Sequence, residues 1–315
     1  MDCRFSSDNP VHPVILSKEA APTVRAEALA MKEEGDLPIR RMVVPDIPAG
    51  MRLRELAGWN QTEQDWRRFL EFEPDGCFVA FRNGTVCGTV ATLAYERRFG
   101  WVSMVLVDPD YRRLGIGTRL LERGIAYLEG SGVETVKLDA TPMGRTVYVQ
   151  RGFVDEYEIE RWEGIAPSCE SPGLKQISAQ DLAGVCEHDR RIFGADRARL
   201  LTSLWEENPR YSAVVYAAGG VAGYVFGRAG ANAHYIGPWV AQHADAAEKL
   251  LREILNRIAG EKVFVDVCLV NSAARDLVKA AGFEFQRPLT RMFRGPNNYP
   301  GIPQWVCGIA GPELG

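Results

Sequence analysis

The stretch Val105–Leu121, VLVDPDYRRLGIGTRLL, decides how the chain folds and what it can hold. An apolar run stops at Pro109 and passes through Arg112, Gly115 and Gly117. It then becomes a helix whose apolar positions Leu120, Leu121, Ile125 and Leu128 recur at helical spacing. The order is strand, glycine-rich turn, helix start. A helix N-terminus carries unpaired amides and about half a positive charge, and glycine lacks the β-carbon that would keep a bulky anion away from them. The turn therefore suits a phosphate or pyrophosphate, over which Arg112 could close with a charge-assisted hydrogen bond. A turn of this kind can also be a bare connection, with Arg112 a solvated cation beside Arg113, so the next element has to decide.

That element is Val133–Phe153, VETVKLDATPMGRTVYVQRGF. Val133–Leu138 alternates like a strand, Pro142 can open a helix, and Gly152 can end it one turn after Tyr148. Taken alone, Tyr148 reads as a half-buried aromatic on an amphipathic helix.

With both stretches in this order, the sequence resembles the GNAT superfamily of N-acetyltransferases. Arg112-x-x-Gly115-x-Gly117, preceded by Val107-x-Pro109, matches the family's pyrophosphate loop, and Tyr148-x-x-x-Gly152-Phe153 matches its Y-x-x-x-G-F signature. The resemblance implies an α/β (α+β) fold with a mixed, mostly antiparallel central sheet flanked by helices. It also implies acetyl-CoA as co-substrate, inserted where two parallel strands splay apart. Its pantetheine would pair with Val105, Leu106 and Val107, and its pyrophosphate would lie on Arg113, Leu114, Gly115, Ile116, Gly117 and Thr118 beside Arg112. Tyr148 would act as general acid toward the leaving thiolate. An attacking amine must lose a proton, and Glu96 and Asp139 are candidate bases; either could be a solvated or structural carboxylate, and a water chain would serve instead.

Composition sets the wider frame. The 315 residues are 46% hydrophobic, enough for two cores, and a net charge of −4 suggests no broad nucleic-acid footprint. Seven cysteines without C-x-x-C pairs and four histidines without metal-ligand spacing support neither a disulfide framework nor a zinc site. No secretory leader or bilayer-spanning run is expected, and a reducing cytoplasm fits best.

Residues 1–36 are polar and carry three prolines before a short helical pattern at Ala26–Glu34, so they read as an extension outside the fold. A catalytic domain is expected over 37–163. It should contain a strand at Ile39–Val44, helices at Met51–Gly58 and Thr62–Phe72 with Thr62 as N-cap, and a hairpin turning at Asn83-Gly84. Trp66 reads as core. Trp59, in the break Gly58-Trp59-Asn60, either packs or lines an acceptor pocket.

A proline- and glycine-rich linker is expected at 164–173, GIAPSCESPG, followed by a second domain over 174–315 that repeats the plan. Its hairpin at Val214–Tyr224 mirrors the first, Leu250-Leu251 corresponds to Leu120-Leu121, and Gly282-Phe283 to Gly152-Phe153. Sliding the loop across by the helix offset sets Gln242 on Arg112, Asp245 on Gly115 and Ala247 on Gly117, while Val278 replaces Tyr148. A carboxylate in the loop would repel pyrophosphate. The second copy therefore reads as degenerate, supporting the first and shaping its acceptor site. Asn271 reads as an N-cap, Gln304–Ala310 as a closing strand, and Cys268 and Cys307 as buried small hydrophobes.

The pairing resembles bacterial tandem-GNAT proteins. The expected activity is acetyl transfer to a primary amine of a small molecule, with no nucleic-acid or membrane partner. A non-catalytic acyl-CoA sensor is the alternative. An NAD site is disfavoured, because the third glycine and the acidic residue of a dinucleotide fingerprint are missing.

Overall fold

The first half runs β1 (Ile39–Arg41), α1 (Ile47–Leu56), α2 (Glu63–Phe72), β2 (Phe78–Arg82), β3 (Thr85–Tyr95), β4 (Phe99–Val107), α3 (Ile116–Gly130), β5 (Val136–Ala140), α4 (Pro142–Val149) and β6 (Val154–Ile165). The computed structural model describes residues 37–315, so the helical pattern at Ala26–Glu34 lies outside the described residues. The second half repeats the order as α5 (Ala179–Phe193), α6 (Ala198–Glu207), β7 (Ser212–Ala217), β8 (Gly220–Arg228), β9 (His234–Ala241), α7 (Ala244–Arg257), β10 (Lys262–Cys268), α8 (Ser272–Ala280), β11 (Glu284–Arg294) and β12 (Val306–Gly308).

Local chemistry explains most boundaries. Thr62 caps α2 reciprocally: its hydroxyl accepts from the Asp65 amide at 3.4 Å, while its own amide donates to the Asp65 carboxylate at 2.7 Å. The β2–β3 hairpin turns at Asn83 and Gly84, both at positive φ, which matches the twist of the flanking strands. Leu120, Leu121, Ile125 and Leu128 are all buried on one face of α3, each contributing roughly 1.5–3 kcal/mol. Helix α1 starts earlier than its apolar pattern suggests, because Pro48 is tolerated in a first turn. Strand β1 ends at Arg41, ahead of a 3-10 turn over Val44–Asp46.

The twelve strands of the described residues form one sheet, in the order β1-β2-β3-β4-β5-β11-β6-β10-β12-β9-β8-β7. The halves exchange strands at its centre. β11 of the second half pairs with β5 and β6 of the first, and β6 pairs on its other edge with β10. Leu37–Gly315 is accordingly a single compact unit. Gly164 and Ile165 still belong to β6.

One core, built on Trp66, Phe69, Trp101, Leu201 and Tyr224, takes residues from both halves. Another lies under α3, and a further one around Trp239, Leu250 and Ile254. Charged staples cross the shared core: Arg68 donates to Asp65 and to Glu207, each at 2.6 Å, with its side chain buried. Among the described residues, no helix is long and apolar enough to cross a membrane.

Candidate functional site

The site follows from where β4 and β5 part. They pair in parallel only at Gly100–Val136 and Trp101–Lys137. Beyond Trp101 the β5-facing edge of β4 has no strand partner among the described residues. On the β3 side the ladder is interrupted between Thr89 and Ala91, and Met104 sits at φ 51°. A bulge of this kind re-aims the backbone of Val105–Val107. A cleft of about 930 Å³ opens there.

The cleft ends on the N-terminus of α3. Gly115, at φ 76°, is the N-cap, and no side chain caps this end, so its first amides have no intrahelical partner. Arg113 is left-handed too, at φ 64°. A β-carbon on Gly117 would lie 3.3 Å from Val107 Cγ2, so helix and strand approach closely. Arg112 Nε donates to the Val107 carbonyl at 3.4 Å. The nearby Asp108 carboxylate is already neutralised by Arg52 at 2.6 Å; burial alone would raise its pKa, but bonds from Arg52 and the Asp110 amide hold it below the usual range. Open amides and arginines thus fit a diphosphate.

Of the residues expected here, Val105, Leu106, Val107, Arg112, Arg113, Gly115, Ile116, Gly117, Thr118, Asp139 and Tyr148 line the cleft, whereas Leu114 is half exposed and does not. Tyr148 keeps part of its surface open to the cleft within dense surroundings that push its phenol up to about 12. Its ring stands 6.0 Å from that of Phe153, and its hydroxyl has no partner among the described residues. Thr141 caps the helix that carries it, accepting from the Gly144 amide at 3.2 Å.

The candidate bases fare differently. Glu96 is not brought to the cleft. It sits in the β3–β4 turn, paired with Arg190 at 2.8 Å and accepting from the Asp196 amide at 2.8 Å; burial opposes these bonds, yet its pKa is lowered. Asp139 does line the cleft, but Arg291 holds both its oxygens at 2.8 Å. Burial raises its pKa despite that pairing.

Other cleft residues have no local signal in the sequence. Gln61, Ser103, Arg161, Arg287 and Glu313 all line it, and the last three come to it through the strand exchange or the segment after β12. Trp59 lines it as well. Its neighbour Asn60 is a clip between halves, accepting from the amides of Asn232 and Ala233 and donating to the Ala233 carbonyl at 3.0 Å.

The second half has no equivalent opening. β9 and β10 also start in parallel, at His234–Val263 through Ile236–Val265, and then separate. Here β12 fills the gap: Gly308 pairs with Val267 on one side and Trp239 on the other. A β-carbon on Gly237 would come within 1.9 Å of the Ile309 carbonyl oxygen, so the inserted segment depends on that glycine.

The loop is also missing, not merely altered. The Gln242 amide donates to Ala222 as that of Asp108 donates to Cys87, so Gln242 stands at the place of Asp108 and not of Arg112. Helix α7 begins two residues later, and Asp245 lies in its first turn, bonded by Lys249 at 2.9 Å. Val278 is fully buried, Asn271 caps α8 by accepting from Ala274, and Cys268 and Cys307 are buried. The closing strand is confined to Val306–Gly308, after a 3-10 turn at Pro303–Trp305.

Comparison with known proteins finds one family in both halves. Residues 49–153 match the acetyltransferase (GNAT) family and residues 185–304 match an acetyltransferase (GNAT) domain. A holothin acyltransferase of Pseudoalteromonas sp. (strain SANK 73390) is 27% identical over 82% of this chain and 87% of its own. An uncharacterized N-acetyltransferase of Bacillus subtilis (strain 168), YitH, is 25% identical over 74% of this chain and 83% of its own. A crystal structure from Pyrococcus horikoshii superposes with a TM-score of 0.74 at 25% identity, covering 89% of this chain and 96% of that one. The chain belongs to the GNAT family of acetyltransferases, as a tandem protein whose second GNAT region is degenerate.

Proposed function

We propose that the first half moves an acetyl group from acetyl-CoA to a primary amine of a small molecule by direct attack. The observation that carries this reading is the contrast between the two splays: one is open and ends on bare helix amides, and the other is filled by β12. The relative named for holothin carries the name of a compound rather than a protein, which supports a small-molecule acceptor.

Acetyl-CoA supplies an activated thioester, and the chain does the rest. The amides at the start of α3, with Arg112 and Arg113, hold the diphosphate. The free edge at Val105–Val107 pairs with the pantetheine arm and offers N–H groups to the carbonyl oxygen, where negative charge develops. Tyr148 keeps its proton at neutral pH and donates it in a hydrogen bond to the sulfur. Complete transfer from a phenol near 12 to a thiolate near 8.5 is uphill, so the hydrogen bond itself is the contribution. The oxygens of both lining carboxylates already accept hydrogen bonds, Asp139 from Arg291 and Glu313 from Arg228 and Gln61, so the acceptor's ammonium group loses its proton to water and the free amine then attacks.

The test is thiol release from acetyl-CoA in the presence of a panel of amines, amino acids and peptides. Release that depends on an amine supports the proposal. Acetyl-CoA binding without release from any amine would contradict it.

A further inference from the structure

The acceptor end of the cleft contains a charge that no hydrogen bond or ion pair among the described residues satisfies. On the sheet face that carries Asp139, β11 places Arg291, Leu289 and Arg287 in line, and β6 sets Arg161 directly opposite Arg287. Each neighbouring carboxylate is already taken. Asp139 is held by Arg291 through both oxygens; Asp266 is held by Arg161 at 2.7 and 2.6 Å and also accepts from Tyr235; Glu313 accepts from Arg228 and from Gln61.

Arg287 is left over. It lines the cleft, and none of its nitrogens has a hydrogen-bond or ion-pair partner among the described residues; its Nε is wholly shut off from solvent. Burial, and then the charge of Arg161 opposite, make its protonated state costly, and the charge of Asp266, already bonded to Arg161, offsets only part of that. A guanidinium cannot escape by losing its proton, so the cost stays until an anion arrives. Two other cleft groups are also unsatisfied: Ser103 Oγ and Gln61 Oε1, each on a side chain more than nine-tenths buried.

We infer that Arg287 is the recognition residue for the acceptor and that the acceptor is a primary amine also carrying a carboxylate, which Arg287 pairs while Ser103 and Gln61 meet the polar remainder. A single planar fork matches a singly charged carboxylate in geometry and in charge; a dianionic phosphate would leave charge over. This rests on the acetyl-transfer reading above, and the two fail separately. Loss of acetyl-CoA binding by the wild-type protein would sink that reading, whereas the present inference is read from acceptor preference in protein that binds acetyl-CoA normally.

The experiment compares matched pairs of amines in the full chain, each α-amino acid against the amine lacking its carboxylate, such as phenylalanine against phenethylamine and tyrosine against tyramine. The expected result is a kcat/KM for carboxylated members at least about tenfold above their partners. Arg287→Met should erase that preference by raising the acceptor KM at least about tenfold with kcat and the acetyl-CoA KM little changed, and Arg287→Lys should restore part of it. Because Arg287 has no internal partner, its removal should leave Tm unchanged or higher. The inference is overturned by equal or greater turnover of the uncarboxylated amines, by turnover of neither set, by an Arg287→Met protein that keeps the preference, or by one whose Tm falls along with its activity, as a structural arginine would require.

Discussion

The Gln61 side-chain amide donates to the Glu313 carboxylate at 2.8 Å across 252 positions of sequence, closing the acceptor end of the cleft with one residue from each half. The other oxygen of Glu313 holds Arg228, which is itself buried near Asp65. Removing Glu313 would therefore leave the buried Arg228 guanidinium only the longer ion pair to Asp65 at 3.8 Å and its bond to the Ala310 carbonyl, while removing Gln61 would cost only one hydrogen bond to a charged group.

Glu313→Ala should lower unfolding free energy by about 3–5 kcal/mol and Gln61→Ala by about 1.5–3 kcal/mol. Urea denaturation of both variants checks this. Equal losses would mean that the Arg228 pair is not what the segment after β12 secures.

Gly115→Asp should weaken acetyl-CoA binding by at least on the order of 100-fold while the protein stays folded, because a like charge would face the diphosphate across several kcal/mol of repulsion. Gly115→Ala separates charge from backbone. At φ 76° a β-carbon costs about 1–2 kcal/mol of strain but meets nothing within 4 Å. Calorimetric titration and a thermal melt of each variant distinguish the two effects, and retained affinity in Gly115→Asp would place the diphosphate elsewhere.

Tyr148→Phe keeps the ring beside Phe153 and deletes only the hydroxyl. Rate should fall on the order of 100-fold, as for loss of one hydrogen-bond donor to a developing charge, with acetyl-CoA affinity nearly unchanged. Single-turnover and binding measurements check this, and an unchanged rate would remove Tyr148 from the chemistry.

Stability should fall on the acid side. Asp46 is held down by its bonds from Arg40; for Asp181, burial pushes the carboxyl up, but bonds from Lys175, Ser178 and Tyr216 together bring it well below its ordinary value. A carboxyl whose folded pKa lies below its unfolded one binds fewer protons when folded. Its contribution is therefore full above the unfolded pKa near 4 and is lost as pH falls through the folded one. Tm measured from pH 6 downward should drop below about pH 4, and Asp181→Asn should flatten that drop; an Asp181→Asn curve parallel to wild type would contradict the assignment.

What could be read from sequence was local. Gly115, Gly117 and the Tyr148–Gly152–Phe153 spacing fix a turn and a helix within a few residues, as do the Thr62 cap and the Asn83-Gly84 hairpin. The exchange of β11 and β6 could not be read, because periodicity says which face of a strand is apolar and nothing about which edge it joins. Arg287 and Glu313 reach the cleft only through that exchange and the segment beyond β12, so their neighbours in sequence carry no hint of it. The placement of Gln242 on Arg112 failed for a related reason. An offset taken from helices conceals residues lost between strand and helix, which the matched amide bonds of Asp108 and Gln242 reveal.

The most direct measurement is a crystal structure of the full chain grown with acetyl-CoA. The account predicts the diphosphate on the amides of Gly115–Thr118, the pantetheine along Val105–Val107, and β12 still seated between β9 and β10. Density for the carrier in the second half, with β12 displaced, or in any other part of the molecule, would contradict it.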